Sequence, residues 1–535
     1  MRVRAPLGVY ALAVLALALA VLPYAAGYLA APRGMIFLGA LNNLGDTGQY
    51  LAALRQGTQG HLLYTNQYTS LRVAPVLVYP LYTATGLLLA PLRLTAPALY
   101  QLLHLLAAGA LLAALWRFCR TVVPGKPVLA YAVALFGGGL YLPALLLSGL
   151  VRLPFAPAAL TAPELSLFAT LLISPHGAVG LAAELWALAG YVRWRRDGQG
   201  RHLAVLSGGG LVLGLSYPFG LPVLLTVVVV DAVASHARPT AHALPERRMA
   251  GEALLALSLL PALAVALYYA VLFHHDPLWG ASNMLRLPPP SISVLAAAFG
   301  PLLVLGLLPL VARLSLRLRG DPACGEGKPL GLSHSTRLVA TWAIVNGLLL
   351  LAPLPQSERL LSGWSVPLAI LAAGVLGRMG RQAARRWAVA LALSNVVLAL
   401  LYLMVAVAGS NPAYYERADE AAAVAWLAAH AGPDDVVMAS AGSGNLIVSA
   451  ARCRVVVGQN FETFNWGQAQ RDVQRYYARR TPTAERMMIL HRNRVTLVLD
   501  GPYEHGLGPF TPPAGHGYRL VHTSGLVRVF AVEAG

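Results

Sequence analysis

The chain has 535 residues, of which 57% are hydrophobic and 12% charged, with a formal net charge of +18. A soluble enzyme of this length carries about twice that charged fraction, so an ordinary soluble globular protein is excluded. The excess of Lys and Arg lies in short loops between apolar runs, which is the footprint of the positive-inside rule and not of a nucleic-acid-binding face.

Apolar runs of membrane-crossing length begin at the N-terminus and recur along the chain. The first follows a basic start, "MRVR", and is too long for a typical signal-peptide core, so it reads as a retained signal anchor. Spans are expected at 7–30, 97–116, 127–149, 176–193, 203–216, 219–235, 251–273, 291–313, 337–353, 364–378 and 387–408, about eleven in all. With the N-terminus cytoplasmic, the basic segments "RFCRTVVPGK", "RWRRDGQGRH", "SHARPTAHALPERR" and "GRMGRQAARR" all fall inside. Segment 73–92 also resembles a span, but a crossing there would invert every later basic loop. It is therefore read as a proline-broken helix at the outer surface, within a first external loop over 31–96.

Residues 1–409 form the expected membrane domain, and 410–535 a small soluble α/β domain placed outside by the odd number of spans. The tail reads helix, strand, helix, strand from 414 to about 457. A further helix and strand follow over 484–500, and then a hairpin around Ser524-Gly525. Cys119, Cys324 and Cys453 are split between the two membrane faces, with no zinc spacing, so no disulfide framework is expected. The Ala/Leu/Gly/Arg-rich usage is compatible with a bacterial chain.

Asp46, in "LNNLGDTGQYLAALRQG", is a lone carboxylate just beyond the first span. Two readings compete. As an N-cap with Gln49 three residues on, it forms a capping box of purely structural value. As an exposed carboxylate at the membrane surface, it can accept a hydroxyl proton or bind a divalent ion. Glu164 and His176 share the external loop before the fourth span, where Ser174-Pro175 places His176 at a helix start. Glu184 lies deeper on that helix, a functional candidate by its depth alone. "HHDPLW" offers His274, His275 and Asp276 as metal ligands, or simply as a solvated loop. "GSGN" (442–445) is a turn into a helix, and only superficially a phosphate loop. Tyr217 in "SYPFG" is a cavity-lining candidate. In the tail, Gln459, Asn460, Glu462 and Trp466 follow a strand, where acceptor-binding loops often sit.

The order is a long anchor, an external acidic residue, a short helix, "GHLLYTNQYTS", a proline-containing surface helix and a second span. With "TAPELSLFATLLISPHGAVGL", "LSYPFGLPVLL", "PLWGASNMLRLPPPS", "LPQSERLLSGWSVPLAIL" and "VVVGQNFETFN…DGPYE", it resembles GT-C-type membrane glycosyltransferases. These include protein O-mannosyltransferases, aminoarabinose transferases and the oligosaccharyltransferase catalytic subunit. The resemblance covers nearly the whole chain and matches a poorly characterised bacterial branch. It implies a cell-envelope enzyme of the inner membrane. Such an enzyme moves a monosaccharide, with inversion, from a polyprenyl-phosphate donor to an external glycan, lipid or protein. It assigns Asp46 the role of base or acceptor-orienting group. Arg359 in "PQSERLLSG" would clamp the donor phosphate, as a guanidinium at the head of a span can do bidentately. It would otherwise be an interfacial anchor paired with Glu358. Glu164, His176, Tyr217, Gln459 and Glu462 become supporting polar or acceptor-binding groups. Many relatives carry a second acidic residue beside the first, and this loop has only Asp46. Dependence on a divalent cation, magnesium or manganese, is therefore open, with Asp46, Glu164, His274, His275 and Asp276 as candidate ligands. The rival readings are a transporter or lipid flippase, for which mid-span His104 and Glu184 are the clearest ionisable groups, and a non-catalytic scaffold of the same fold.

Overall fold

The structure is a computed structural model describing residues 5–41, 44–153, 162–236, 245–283, 289–318, 333–352, 356–408, 414–513, 515 and 517–533. Cys324 lies outside the described residues. The chain divides into two units. The first comprises Met1–Leu22, His104–Val271 and Leu285–Tyr402; the second comprises Pro23–Leu103, Leu272–Met284 and Leu403–Gly535.

Among the described residues, six helices are long and apolar enough to cross a membrane: Leu7–Leu29, Ala96–Val122, Pro218–Ser235, Met249–His275, Ser357–Leu376 and Arg381–Ala408. The count of about eleven therefore does not follow from helix length and apolarity together. Of the other expected spans, two coincide with the shorter helices Arg201–Ser216 and His334–Leu349, and two with the helices Pro175–Asp197 and Ile292–Leu318. The segment expected as one span over 127–149 is two helices, Pro127–Phe136 and Tyr141–Ser148, broken at Gly137-Gly138-Gly139. The break is a close crossing, because a Cβ on Gly139 would lie 1.9 Å from the Ala297 carbonyl oxygen. Its freed backbone groups find partners in the first unit. Gly138 N–H donates to the Leu391 carbonyl at 3.0 Å. Asn395 Nδ2 donates to the Phe136 carbonyl at 2.9 Å, and Ser394 Oγ to the Gly139 carbonyl at 2.5 Å. The protein thus satisfies the backbone groups that the break frees.

Elsewhere in the first unit, helices Pro175–Asp197 and Arg201–Ser216 pack as a hairpin that turns at Gly198. A buried Asp231 ties three helices together, accepting from Tyr191 at 2.9 Å and Arg337 at 3.1 Å and pairing with His334 at 3.0 Å.

In the second unit, strand β1 (Met35–Phe37) pairs antiparallel with β2 (Tyr415–Arg417), so the first loop and the tail share a sheet. The helix carrying Asp46, Leu44–Thr58, packs on Pro80–Leu89 through two glycines. A Cβ on Gly57 would lie 2.2 Å from the Thr83 carbonyl oxygen, and one on Gly86 2.1 Å from that of Leu54. At 10 residues, Pro80–Leu89 extends about 15 Å, too short to cross a bilayer. The tail holds β3 (Val436–Met438), β4 (Arg454–Val455), β5 (Leu497–Asp500), β6 (Tyr518–Ser524) and β7 (Val527–Val532) in the order β4-β3-β5-β7-β6. The β3 strand runs parallel to β4 and β5, while β6 and β7 form an antiparallel hairpin whose turn holds Gly525 at φ +54°. Val436, Met438, Val473, Tyr476 and Phe530 belong to its core. The helix Trp466–Tyr477 covers one part of that core and was not anticipated from the sequence.

Candidate active site

The Asp46 helix starts at Leu44, so Asp46 lies inside the first turn and is not the N-cap. The capping-box reading therefore fails. The helix N-terminus still stabilises a carboxylate at this position. Gln459 Nε2 donates to Asp46 Oδ1 at 2.8 Å. The amide cannot turn over freely, because Gln459 Oε1 accepts the backbone N–H groups of Phe461 and of Glu462, the latter at 3.1 Å. A tight turn after β4 thus fixes a donor on one oxygen of Asp46.

The same turn delivers Glu462, which is 1% exposed. Asn66 Nδ2 donates to its Oε2 at 2.9 Å, and the Tyr79 hydroxyl to its Oε1 at 2.5 Å. Burial pushes the Glu462 carboxyl up to about 8, against the Tyr79 hydrogen bond, with Asp46 adding in the upward direction. Glu462 is thus mostly protonated at neutral pH. Tyr79 adopts φ 57°, ψ 37°, a left-handed conformation that a bulky residue enters only under constraint. Tyr64 packs edge-on to Tyr79 with ring centroids 5.3 Å apart, and Tyr50 does so at 5.6 Å. The hydroxyls of Tyr64 and Tyr68 are buried without a hydrogen-bond partner among the described residues. Burial and the Glu462 charge hold both phenols well above their ordinary value.

A second polar group lies in the first unit. Arg359 Nη1 stands 3.7 Å from Glu164 Oε1, its Nε donates to Gln356 Oε1 at 2.9 Å, and its guanidinium stacks 5.2 Å above the Phe219 ring. Arg359 is therefore paired with Glu164. The Tyr217 hydroxyl is 3.2 Å from Glu164 Oε1 and 3.3 Å from the Arg359 carbonyl. His176 stacks on Tyr217 with centroids 5.9 Å apart.

The remaining candidates are structural in their contacts. Asp276 Oδ1 accepts the N–H groups of Leu278 and Trp279, capping the helix Pro277–Asn283. His274 and His275 meet edge to face at 4.9 Å. Among the described residues, no three His, Cys, Asp or Glu side chains are arranged to hold a metal ion. His104 Nε2 bonds the Leu171 carbonyl at 2.8 Å, and Glu184 is buried with Oε1 lacking a hydrogen-bond partner among the described residues. Ser440, not the GSGN glycines, caps the helix Ala441–Ala450. Sequence reasoning missed Asn66 and Tyr79. Their only trace was a polar, aromatic stretch, "YTNQYTS", and a tyrosine before proline.

No family model matches the chain, and no curated protein matches it in sequence. Solved structures do. The oligosaccharyltransferase AglB of Archaeoglobus fulgidus in its apo form superposes with a TM-score of 0.54 at 13% identity. That alignment covers 92% of this chain and 69% of that one. ArnT of Cupriavidus metallidurans, solved bound to undecaprenyl phosphate, gives 0.51 at 14% identity and covers 97% of both chains. The fold is that of the GT-C membrane glycosyltransferases. AglB has also been solved with an inhibitory peptide and a dolichol-phosphate, superposing at 0.52. The GT-C assignment concerns the fold; at this identity the residue roles rest on the geometry above.

Proposed function

We propose that this chain is a GT-C glycosyltransferase of the inner membrane. It transfers a monosaccharide from a polyprenyl-phosphate donor to an extracytoplasmic glycan, lipid or protein. Its N-terminus is cytoplasmic, residues 1–409 span the membrane and 410–535 stand outside. The observation that carries this reading is the Asp46 carboxylate held by Gln459 next to a second, protonated carboxyl, Glu462. A carboxylate within electrostatic reach of a buried carboxyl raised to about 8 suits acid–base work at neutral pH.

Asp46 accepts the proton of the acceptor hydroxyl as its oxygen attacks the anomeric carbon. The bond from that carbon to the phosphate oxygen breaks, and the polyprenyl phosphate leaves with the electron pair. Attack opposite the leaving group inverts the anomeric centre. Gln459 keeps Asp46 in one orientation, and Glu462 contributes hydrogen-bonding capacity without a second negative charge. Arg359, with Glu164, Tyr217 and His176 around it, binds the lipid phosphate. The AglB and ArnT structures with dolichol-phosphate and undecaprenyl phosphate support this donor class. A divalent cation would have Asp46 as its first available ligand and would polarise the phosphate or the acceptor oxygen.

The test places wild type and Asp46→Asn in lipid nanodiscs with a panel of radiolabelled polyprenyl-phosphate sugars and a native membrane extract as acceptor source. Wild type is expected to discharge one donor. Asp46→Asn should bind that donor and turn it over about 10²–10⁴-fold more slowly. Equal turnover by both proteins removes Asp46 from the chemistry. Label crossing the membrane without covalent transfer establishes a transporter. No discharge of any donor by wild type favours the scaffold.

A further inference from the structure

A cavity of about 310 Å³ opens in the second unit beside the first turns of the Asp46 helix. Leu51 of the Asp46 helix and Leu446 of the helix Ala441–Ala450 provide apolar walls, and Thr47, Glu416, Tyr503, Asn445 and Ser449 provide the polar lining. We propose that this cavity binds an organic ammonium ion, a primary amine carried on a short carbon stem.

The polarity of the lining carries the inference. The Tyr503 hydroxyl spends its hydrogen on Glu416 Oε2 at 3.0 Å, and the Ser449 hydroxyl spends its own on the Leu446 carbonyl at 2.7 Å. Both hydroxyls are left with only lone pairs to offer. Asn445 Oδ1 is buried without a donor among the described residues. Glu416, 2% exposed, adds a carboxylate whose Oε1 takes the Arg417 N–H at 2.8 Å. Glu416, Tyr503 and Ser449 thus present acceptors, Thr47 and the Asn445 amide complete the polar lining, and no Lys, Arg or His lines the space. An ammonium group brings three donors and a positive charge.

The surroundings lack positive charge. Glu420 and Glu504, each fully buried, converge near Gly501, where a built Cβ would lie 2.8 Å from Glu420 Oε1 and 3.3 Å from Glu504 Oε2. Both Glu420 oxygens and Glu504 Oε2 lack a hydrogen-bond partner among the described residues. The nearby cation, Arg417, is engaged by Asp419 at 2.7 Å. Burial, reinforced by Glu504, pushes Glu420 up to about 8. A buried carboxyl cluster lowers its energy by gaining a cation, whereas a phosphate or carboxylate ligand would be repelled. The apolar walls favour an organic stem over a bare metal ion, and no three ligands converge for a metal among the described residues. The inference is independent of glycosyl transfer.

The test titrates the full-length protein, in zwitterionic nanodiscs, with n-butylammonium, using n-butanol and butyrate as controls of the same shape. Binding is followed by saturation-transfer NMR against protein-free discs. Butylammonium is expected to bind at least about tenfold more tightly than either control, and Glu416→Gln should weaken it about tenfold. Ser449→Lys covers the case in which Glu416→Gln misfolds. A lysine ammonium placed in the cavity should exclude butylammonium and give a higher Tm than Ser449→Met. Equal binding of butyrate, undiminished binding in folded Glu416→Gln, or no butylammonium binding at tens of millimolar would each overturn the proposal, as would a lower Tm for Ser449→Lys than for Ser449→Met.

Discussion

Replacing Gln459 by leucine should cost catalysis through Asp46 without touching Asp46. The leucine removes the 2.8 Å donor to Asp46 Oδ1 and the acceptor for the N–H groups of Phe461 and Glu462. A hydrogen bond to a charged partner contributes about 1.5–3 kcal/mol. If that energy holds the reactive orientation of Asp46, kcat should fall roughly 10–100-fold, at 1.36 kcal/mol per decade. The KM for the donor should change little, because Gln459 touches neither phosphate nor lipid in this account. The lost backbone acceptors also cost about 1–3 kcal/mol of stability, so activity must be measured on protein that passes a thermal-melt check. Gln459→Glu separates the two effects. It keeps an acceptor for both N–H groups but sets a carboxyl against Asp46. Protonated, that carboxyl can donate to Asp46 much as the amide does; ionised, it repels it. The Gln459→Glu rate should therefore approach wild type at low pH and fall away from it as pH rises. The assay is label release from the lipid donor across a pH series. Rates for both variants within about twofold of wild type at every pH would refute the positioning role.

Glu462 and Glu420 each have a folded-state pKa raised to about 8 from the ordinary 4.5. Their favourable contribution to stability is fully present below about pH 4.5 and is lost as pH rises through about 8. Wild-type Tm should therefore fall between those limits, and Glu462→Gln should flatten part of the fall; a variant with an unchanged Tm–pH slope refutes the assignment. Gly86→Ala places a methyl 2.1 Å from the Leu54 carbonyl oxygen, an overpacking that costs about 1–3 kcal/mol; thermal unfolding in nanodiscs should show the loss. Arg359→Gln should raise the KM for the lipid donor about tenfold with a smaller change in kcat, and Arg359→Lys should restore little of it, since lysine cannot reproduce the guanidinium's fork or its stacking on Phe219. Saturation kinetics across donor concentration distinguish these outcomes.

The membrane character was legible because hydropathy and the distribution of arginine are local, additive signals. The break in 127–149 was harder to see. The segment reads as one span, and the role of its three consecutive glycines is to admit the Ala297 backbone, a partner about 160 residues away in sequence. The short helix at Pro80 was legible from proline and from the arginine count beyond it. Its docking through Gly57 and Gly86 is a packing fact that no periodicity reveals.

The carboxylate pair shows the same limit more sharply. The first loop contains only Asp46, and by spacing alone the second acidic group was missing. The structure supplies a neighbouring carboxyl, Glu462, from a turn more than four hundred residues later. Two short strands, β1 and β2, join the first loop to the tail, and Arg454 reaches from the tail to the Ser70 carbonyl further along the loop. A linear search for paired acids assumes that a site is local in sequence. Here the pairing is local only after the tail has folded onto the loop, and the same closure brings Glu416 and Asn445 to the cavity beside Gly48. Loosening the β1–β2 pairing should therefore affect the Asp46–Gln459 contact and the acceptor-lined cavity together, because one closure builds both.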